Sequence, residues 1–136
     1  MIRIVLDTNV VVSAMLNFSG TAADVLRLAL SQHVQLCVSE AILEEYEGVL
    51  RRPKFKRPAR VVSALMKAIR ATADKVEPTE TLALSADEAD NRFLECAKAA
   101  GANYIVTGNQ QHFPATLGRT RIINPRQLVE LVTPKS

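Results

Sequence analysis

With 136 residues, 48% of them apolar and 23% charged, the chain has the size and balance of one globular domain, and lacks the composition of a disordered or collagen-like polymer. Aromatic residues, at 4%, leave little for stacking single-stranded bases, and the two cysteines, Cys37 and Cys96, sit in apolar segments without a CxxC, which speaks against a disulfide scaffold or zinc site and for buried thiols in a reducing compartment. Seventeen Lys and Arg against fourteen Asp and Glu leave a net charge of +3, which permits a polyanionic partner without demanding one.

The opening "MIRIVLDTNVVVSAML" superficially imitates a secretory signal, but Asp7 and Asn9 interrupt its apolar run and no clean cleavage site follows. No stretch is long enough to span a bilayer, so a cytoplasmic protein without a membrane segment is expected. "IRIVL" is rich in β-branched residues and reads as a central parallel strand covered on both faces. "VVVSAML" is helical, as is "TAADVLRLALSQ", with Thr21 as its expected cap. The second strand is "VQLCVS", Val34 to Ser39, and Ser39 caps the helix "EAILEEYEGVLRR".

Six basic residues then fall in "RRPKFKRPAR" (Arg51, Arg52, Lys54, Lys56, Arg57, Arg60) without one acid. The stretch is either a solvated connection between helices or a patch that contacts phosphates. Pro58 suits the first turn of a helix running to about Asp74, and "VEPTETLAL" is a loop. Ser85 and Glu88 have the S-x-x-E spacing of a capping box at the start of "ADEADNRFLECAKAAG", which Gly101 ends. "YIVTG" is the third strand, "RIIN" the fourth, and Asn124 with Pro125 opens a last helix, "RQLVELV". Alternating strands and helices predict an α/β fold, a three-layer α/β/α sandwich around a parallel sheet, with residues 1–136 as a single domain.

In such folds ligands bind beyond the carboxyl ends of the strands, where the strand order reverses, and Asp7 ends the first strand. On a helical wheel Ile42, Tyr46, Val49 and Leu50 form the apolar stripe of the following helix; Glu44 points away from it, Glu45 lies on one flank and Glu47 on the other. In the helix after Ser85 the stripe is Ala86, Ala89, Phe93, Ala97 and Ala100, and Asp90 falls inside it with Asp87 at its edge. A carboxylate on a buried face needs a partner; the plain alternative for Asp87 and Asp90 is capping of the helix N-terminus. Asp7, Glu45 and Asp90 together would repel one another and hold their protons unless a cation lay between them. Hard oxygen ligands in an open site suit Mg²⁺ or Mn²⁺, which activate water and neutralise charge on a phosphodiester.

"LDTNVVVSA", "SEAILEEYEGVL", "DEADNRFLECAKAAGANYIVTGN" and "INPRQLV", in that order over nearly the whole chain, resemble the PIN-domain ribonucleases, especially those that are toxin halves of toxin–antitoxin pairs. The resemblance implies a PIN-like fold, an acidic pocket for Mg²⁺ or Mn²⁺, endonucleolytic RNA cleavage, homodimers and an antitoxin partner. Carried over by position, Asp7, Glu45 and Asp90 are the catalytic and metal-binding acids, with Asp87 as a further metal ligand. Thr8, Asn9, Thr107 and Asn109 support the site, and Arg51, Arg52, Lys54, Lys56 and Arg57 would bind RNA. The chain departs from the pattern in "TGNQQHFP", where Asn109 and His112 stand where many members carry a further Asp. That weakens a second metal, with His112 structural or phosphate-facing.

Two other readings compete. A phosphatase forming an aspartyl-phosphate on Asp7 would want an acid two residues on, where Asn9 stands. A non-catalytic PIN-like module would bind RNA or protein through the weakened acidic site. With only His33 and His112 present, a histidine pair acting through a cyclic phosphate is disfavoured.

Overall fold

The computed structural model describes residues 1–85 and 87–133. In chain order the elements are β1 (Arg3–Leu6), α1 (Thr8–Leu16), α2 (Thr21–Leu30), β2 (Gln35–Val38), α3 (Glu40–Leu50), α4 (Ala59–Thr72), β3 (Asp74–Lys75), α5 (Glu88–Ala100), β4 (Tyr104–Val106), β5 (Thr116–Leu117), β6 (Thr120–Ile123) and α6 (Pro125–Val132). The strands form one six-stranded sheet in the order β3-β2-β1-β4-β6-β5, parallel throughout except where β5 pairs antiparallel with β6.

Why the central strands are so apolar follows from their surroundings. Ile4, Val5 and Leu6 point alternately to opposite faces yet are all fully buried, so helices cover the sheet on both sides. Leu36, Cys37 and Val38 in β2, and Ile105 and Val106 in β4, are buried in the same way. The expected three-layer α/β sandwich is therefore the fold. Both cysteines are buried free thiols, as expected, and no described helix is long and apolar enough to cross a membrane.

Local capping chemistry explains several boundaries. Ser39 Oγ accepts from the Ile42 amide and starts α3. Asn124 and Gln127 form a reciprocal capping box that starts α6. Gly101 ends α5 at φ +60°, a left-handed position that favours glycine.

Other expectations need correction. Thr21 is the first residue of α2, and Gly20 occupies the cap position with no side chain to offer. Pro58 stands one residue before α4 and not within its first turn. The long helix stops at Thr72, because the next residues leave it to pair with β2 as β3, Cys37 opposite Asp74 and Val38 opposite Lys75. Two exposed, charged residues carry no strand pattern, so only the neighbouring strand defines this edge. β5 and β6 make a hairpin that the sequence reading also missed, although Gly118 at φ +58° in its turn was a usable signal.

The capping box expected of Ser85 and Glu88 does not form. Asp87 caps α5 by accepting from the Ala89 amide, while Ser85 Oγ donates to the His112 carbonyl and Glu88 pairs with Arg92. Ala86, the expected first residue of that helix and of its apolar stripe, lies outside the described residues.

Candidate acidic site at the switch point

The strand order reverses between β1 and β4, and Asp7 stands at the carboxyl end of β1 facing that crevice. Its amide continues the ladder by donating to the Val106 carbonyl at 3.0 Å. The next residue opens α1, so the side chain leaves the sheet where a helix begins. Asp7 is 5% exposed, and its Oδ2 accepts from Thr107 Oγ1 at 2.7 Å. Thr107, fully buried at the end of β4, also accepts from the Asn109 amide at 3.0 Å, so its single proton is directed at Asp7. Thus Asn109 acts here through its backbone.

Glu45 arrives from α3. Tyr46, buried beside it, donates its hydroxyl to the Leu6 carbonyl and so ties the middle of α3 to the end of β1. Glu45 Oε2 then accepts from the Thr8 hydroxyl. Thr8 is buried, whereas Asn9 is exposed. Glu47, on the other flank of the helix, turns away and pairs with Arg51 at 2.9 Å. Glu44 is exposed, as the wheel predicts.

Asp90 sits in the first turn of α5, 8% exposed. Its Oδ2 is buried and accepts no hydrogen bond, and Nδ1 of the exposed His112 lies 3.9 Å away. The neighbouring Asn91 escaped the sequence reading as a structural determinant. Its buried amide accepts from the Leu84 and Ser85 amides at 3.0 and 2.8 Å and donates to the Ser85 carbonyl, locking the loop that leads into α5. The motif "D-N-x-F-L" contained the residue, but only the folded loop reveals its partners.

Electrostatics join these acids into one cluster. Burial raises the Asp7 carboxyl above its ordinary value, against the opposing pull of the Thr107 hydroxyl and of the Asn9 and Thr8 amides at the start of α1. Asp90 is pushed up to about 6, first by burial and then by the negative charges of Asp7, Asp87 and Glu45, with His112 opposing. Its acidity therefore registers all three other acids. Among the described residues, no three acids, histidines or cysteines close into a ready-made cation cage. The cluster is open, with a desolvated, unpartnered oxygen on Asp90 facing like charge, which is the donor chemistry a hard divalent cation satisfies.

Of the basic residues singled out, Arg51 is engaged by Glu47 and Ser63 and ties α3 to α4. Arg52, Lys54, Lys56 and Arg57 are exposed, with Lys54 Nζ 5.1 Å from the centroid of the Phe55 ring. They lie past the end of α3, in the connection that leads to α4.

A PIN domain family profile matches residues 3–111 of the chain. An uncharacterized protein of Methanocaldococcus jannaschii is 28% identical over 112 residues, covering 80% of this chain and 72% of the relative. Among solved structures, a chain in the crystal structure of VapBC2 from Rickettsia felis, bound to a DNA fragment from their promoter, aligns with a TM-score of 0.58. The alignment covers 90% of this chain and 98% of that one at 15% identity, a likeness of fold.

Proposed function

Because the chain belongs to the PIN domain family, we propose that it is a metal-dependent endoribonuclease that hydrolyses RNA phosphodiester bonds, the toxin component of a cytoplasmic toxin–antitoxin pair. PIN domains are generally nucleases. What supports the reading is that the charges of Asp7 and Glu45, from segments far apart in the chain, act on Asp90, whose Oδ2 is buried without a hydrogen-bond partner.

Asp7 and Asp90 would hold a Mg²⁺ or Mn²⁺ ion, with Glu45 and Asp87 at its margin. When bound, such an ion makes water more acidic and neutralises charge that develops on the phosphate. Thr107 fixes the orientation of Asp7 by donating to its Oδ2. Thr8 orients Glu45 for accepting a proton from the attacking water. Asp87, whose Oδ1 already accepts from the Ala89 amide, contributes negative charge more than a fixed ligand. Attack by water, with no use of the ribose 2′-hydroxyl, leaves 5′-phosphate and 3′-hydroxyl ends. Arg52, Lys54, Lys56 and Arg57 would hold the RNA backbone beyond the site. An antitoxin partner is supported by the likeness to a chain of the VapBC2 structure, and a homodimer by the family resemblance.

The experiment is cleavage of a mixed RNA pool with Mn²⁺ or Mg²⁺ by wild type and by Asp7→Asn, which removes one charge and almost no volume. Cleavage by wild type alone, with 5′-phosphate ends, is the expected result. Equal cleavage by the variant, or 2′,3′-cyclic phosphate ends, would overturn the mechanism. A wild type that cuts nothing with either ion favours the non-catalytic binding module.

A further inference from the structure

Beside the acidic cluster lies a cavity of about 460 Å³ that the nuclease reading leaves unused. The loop before α5 forms one wall and the loop after β4 the other. Leu84, Phe113 and Pro114 supply apolar surface, while Asp87, Gln111 and His112 supply polar groups. Its size falls within the range of pockets that enclose a small organic ligand.

Two features suggest a built cavity. Ser85 Oγ donates to the His112 carbonyl at 3.0 Å and links the two walls across 27 residues of chain. Asn91 holds the Leu84 wall through the amides of Leu84 and Ser85 and the carbonyl of Ser85. Leu84, held there by its backbone amide, is 54% exposed. The cavity also adjoins the acids: Asp87 lines it while raising the proton affinity of Asp90, and His112 lines it while lying 3.9 Å from Asp90 Oδ2.

We propose that this cavity holds the base of a nucleotide flanking the scissile phosphate, and that it selects bases bearing an exocyclic amino group over uracil; the inference rests on the RNA-cleaving reading of the adjacent acids. A phosphate placed against Asp7 and Asp90 carries its neighbouring base within reach of these walls. Leu84 and Pro114 give that base apolar contact on its faces, which serves where a chain is poor in aromatics. Selection follows from the edge groups. The Gln111 amide both donates and accepts and so holds either kind of base, while the Asp87 carboxylate accepts freely from an exocyclic amino group but meets in uracil a single N3–H donor flanked by two carbonyl oxygens that repel it.

Two measurements test this separately from catalysis. In the Asp7→Asn protein, AMP titrated without metal is expected to shift the Leu84 methyl and Gln111 side-chain amide resonances, with UMP at least about tenfold weaker; equal or absent shifts would overturn the pocket. With active protein and RNAs varied at the positions flanking one cleaved bond, wild type is expected to disfavour uracil at one of them by about tenfold in kcat/KM. Asp87→Asn, which keeps a capping oxygen for α5, is expected to flatten that preference as a ratio between bases, whereas Leu84→Ala is expected to raise KM on every base alike. A preference that persists in Asp87→Asn would overturn the proposal. Nucleotide shifts without any RNA cleavage would retain the pocket and sink the nuclease reading instead.

Discussion

Helix α5 buries two carboxylates one and a half turns apart, and they meet opposite fates. Glu95, 9% exposed, accepts from Arg92 at 2.7 Å and from the Leu82 amide at 2.8 Å, so its charge is paired and anchors the loop ahead of the helix. Asp90, 8% exposed, keeps a buried oxygen without a partner and faces three other acids. Equal burial therefore does not mark a functional acid. What separates the two is whether the fold has already answered the charge, and no protein group donates to the buried oxygen of Asp90.

Substitutions can break this contrast, and the largest expected effect is on cleavage. Asp90→Asn and Asp7→Asn should each lower RNA cleavage by about 10²-fold or more, the scale of a lost acid–base or metal ligand. Glu95→Ala should leave the intrinsic rate per folded molecule unchanged but destabilise the protein by about 2 kcal/mol, because Arg92 and the Leu82 amide lose their acceptor. Denaturant titration beside initial-rate assays separates the two outcomes, and equal activity losses at both positions would erase the distinction.

Stability without metal sharpens it further. Relieving the repulsion on Asp90 through Asp90→Asn should stabilise the protein in EDTA by about 1 kcal/mol, after allowance for water at the open mouth of the site. Mn²⁺ should then raise the melting temperature of wild type and leave that of Asp90→Asn unmoved.

The pH dependence has a definite sign. Folded Asp90 keeps its proton up to about 6, whereas the unfolded chain releases it near the ordinary value of 3.8. This group therefore favours the metal-free fold most below pH 4, loses that contribution between about 4 and 6, and adds nothing further above. Metal affinity should rise over the same interval as the proton leaves. Melting curves in EDTA and Mn²⁺ titrations from pH 4 to 7.5 follow both trends. The smallest effect is expected from Lys54→Ala with Lys56→Ala, which should weaken RNA binding across all sequences and reduce the salt slope of log K by about one per lost phosphate contact.

The central parallel strands and several helix ends were legible because their causes are local: β-branched runs, Ser39, Asn124 with Pro125, and Gly101. Asp90 was legible because a carboxylate inside an apolar stripe is a contradiction visible in the chain. Glu95, equally buried, raised no such alarm, since its partners Arg92 and Leu82 can be recognised only once the loop has folded back. The same limit explains Ser85, drawn away from the expected cap by the His112 carbonyl 27 positions later. It also explains β3, a strand made by its neighbour. Long-range contacts assign roles that periodicity cannot.

The bond from Thr107 to Asp7 spans 100 positions of sequence. A nascent chain released from the ribosome only as far as α5 holds its first acid without the strand that orients it, however well its early helices have formed. On the nuclease reading proposed above, the acidic site is assembled only after β4 and Thr107 have emerged.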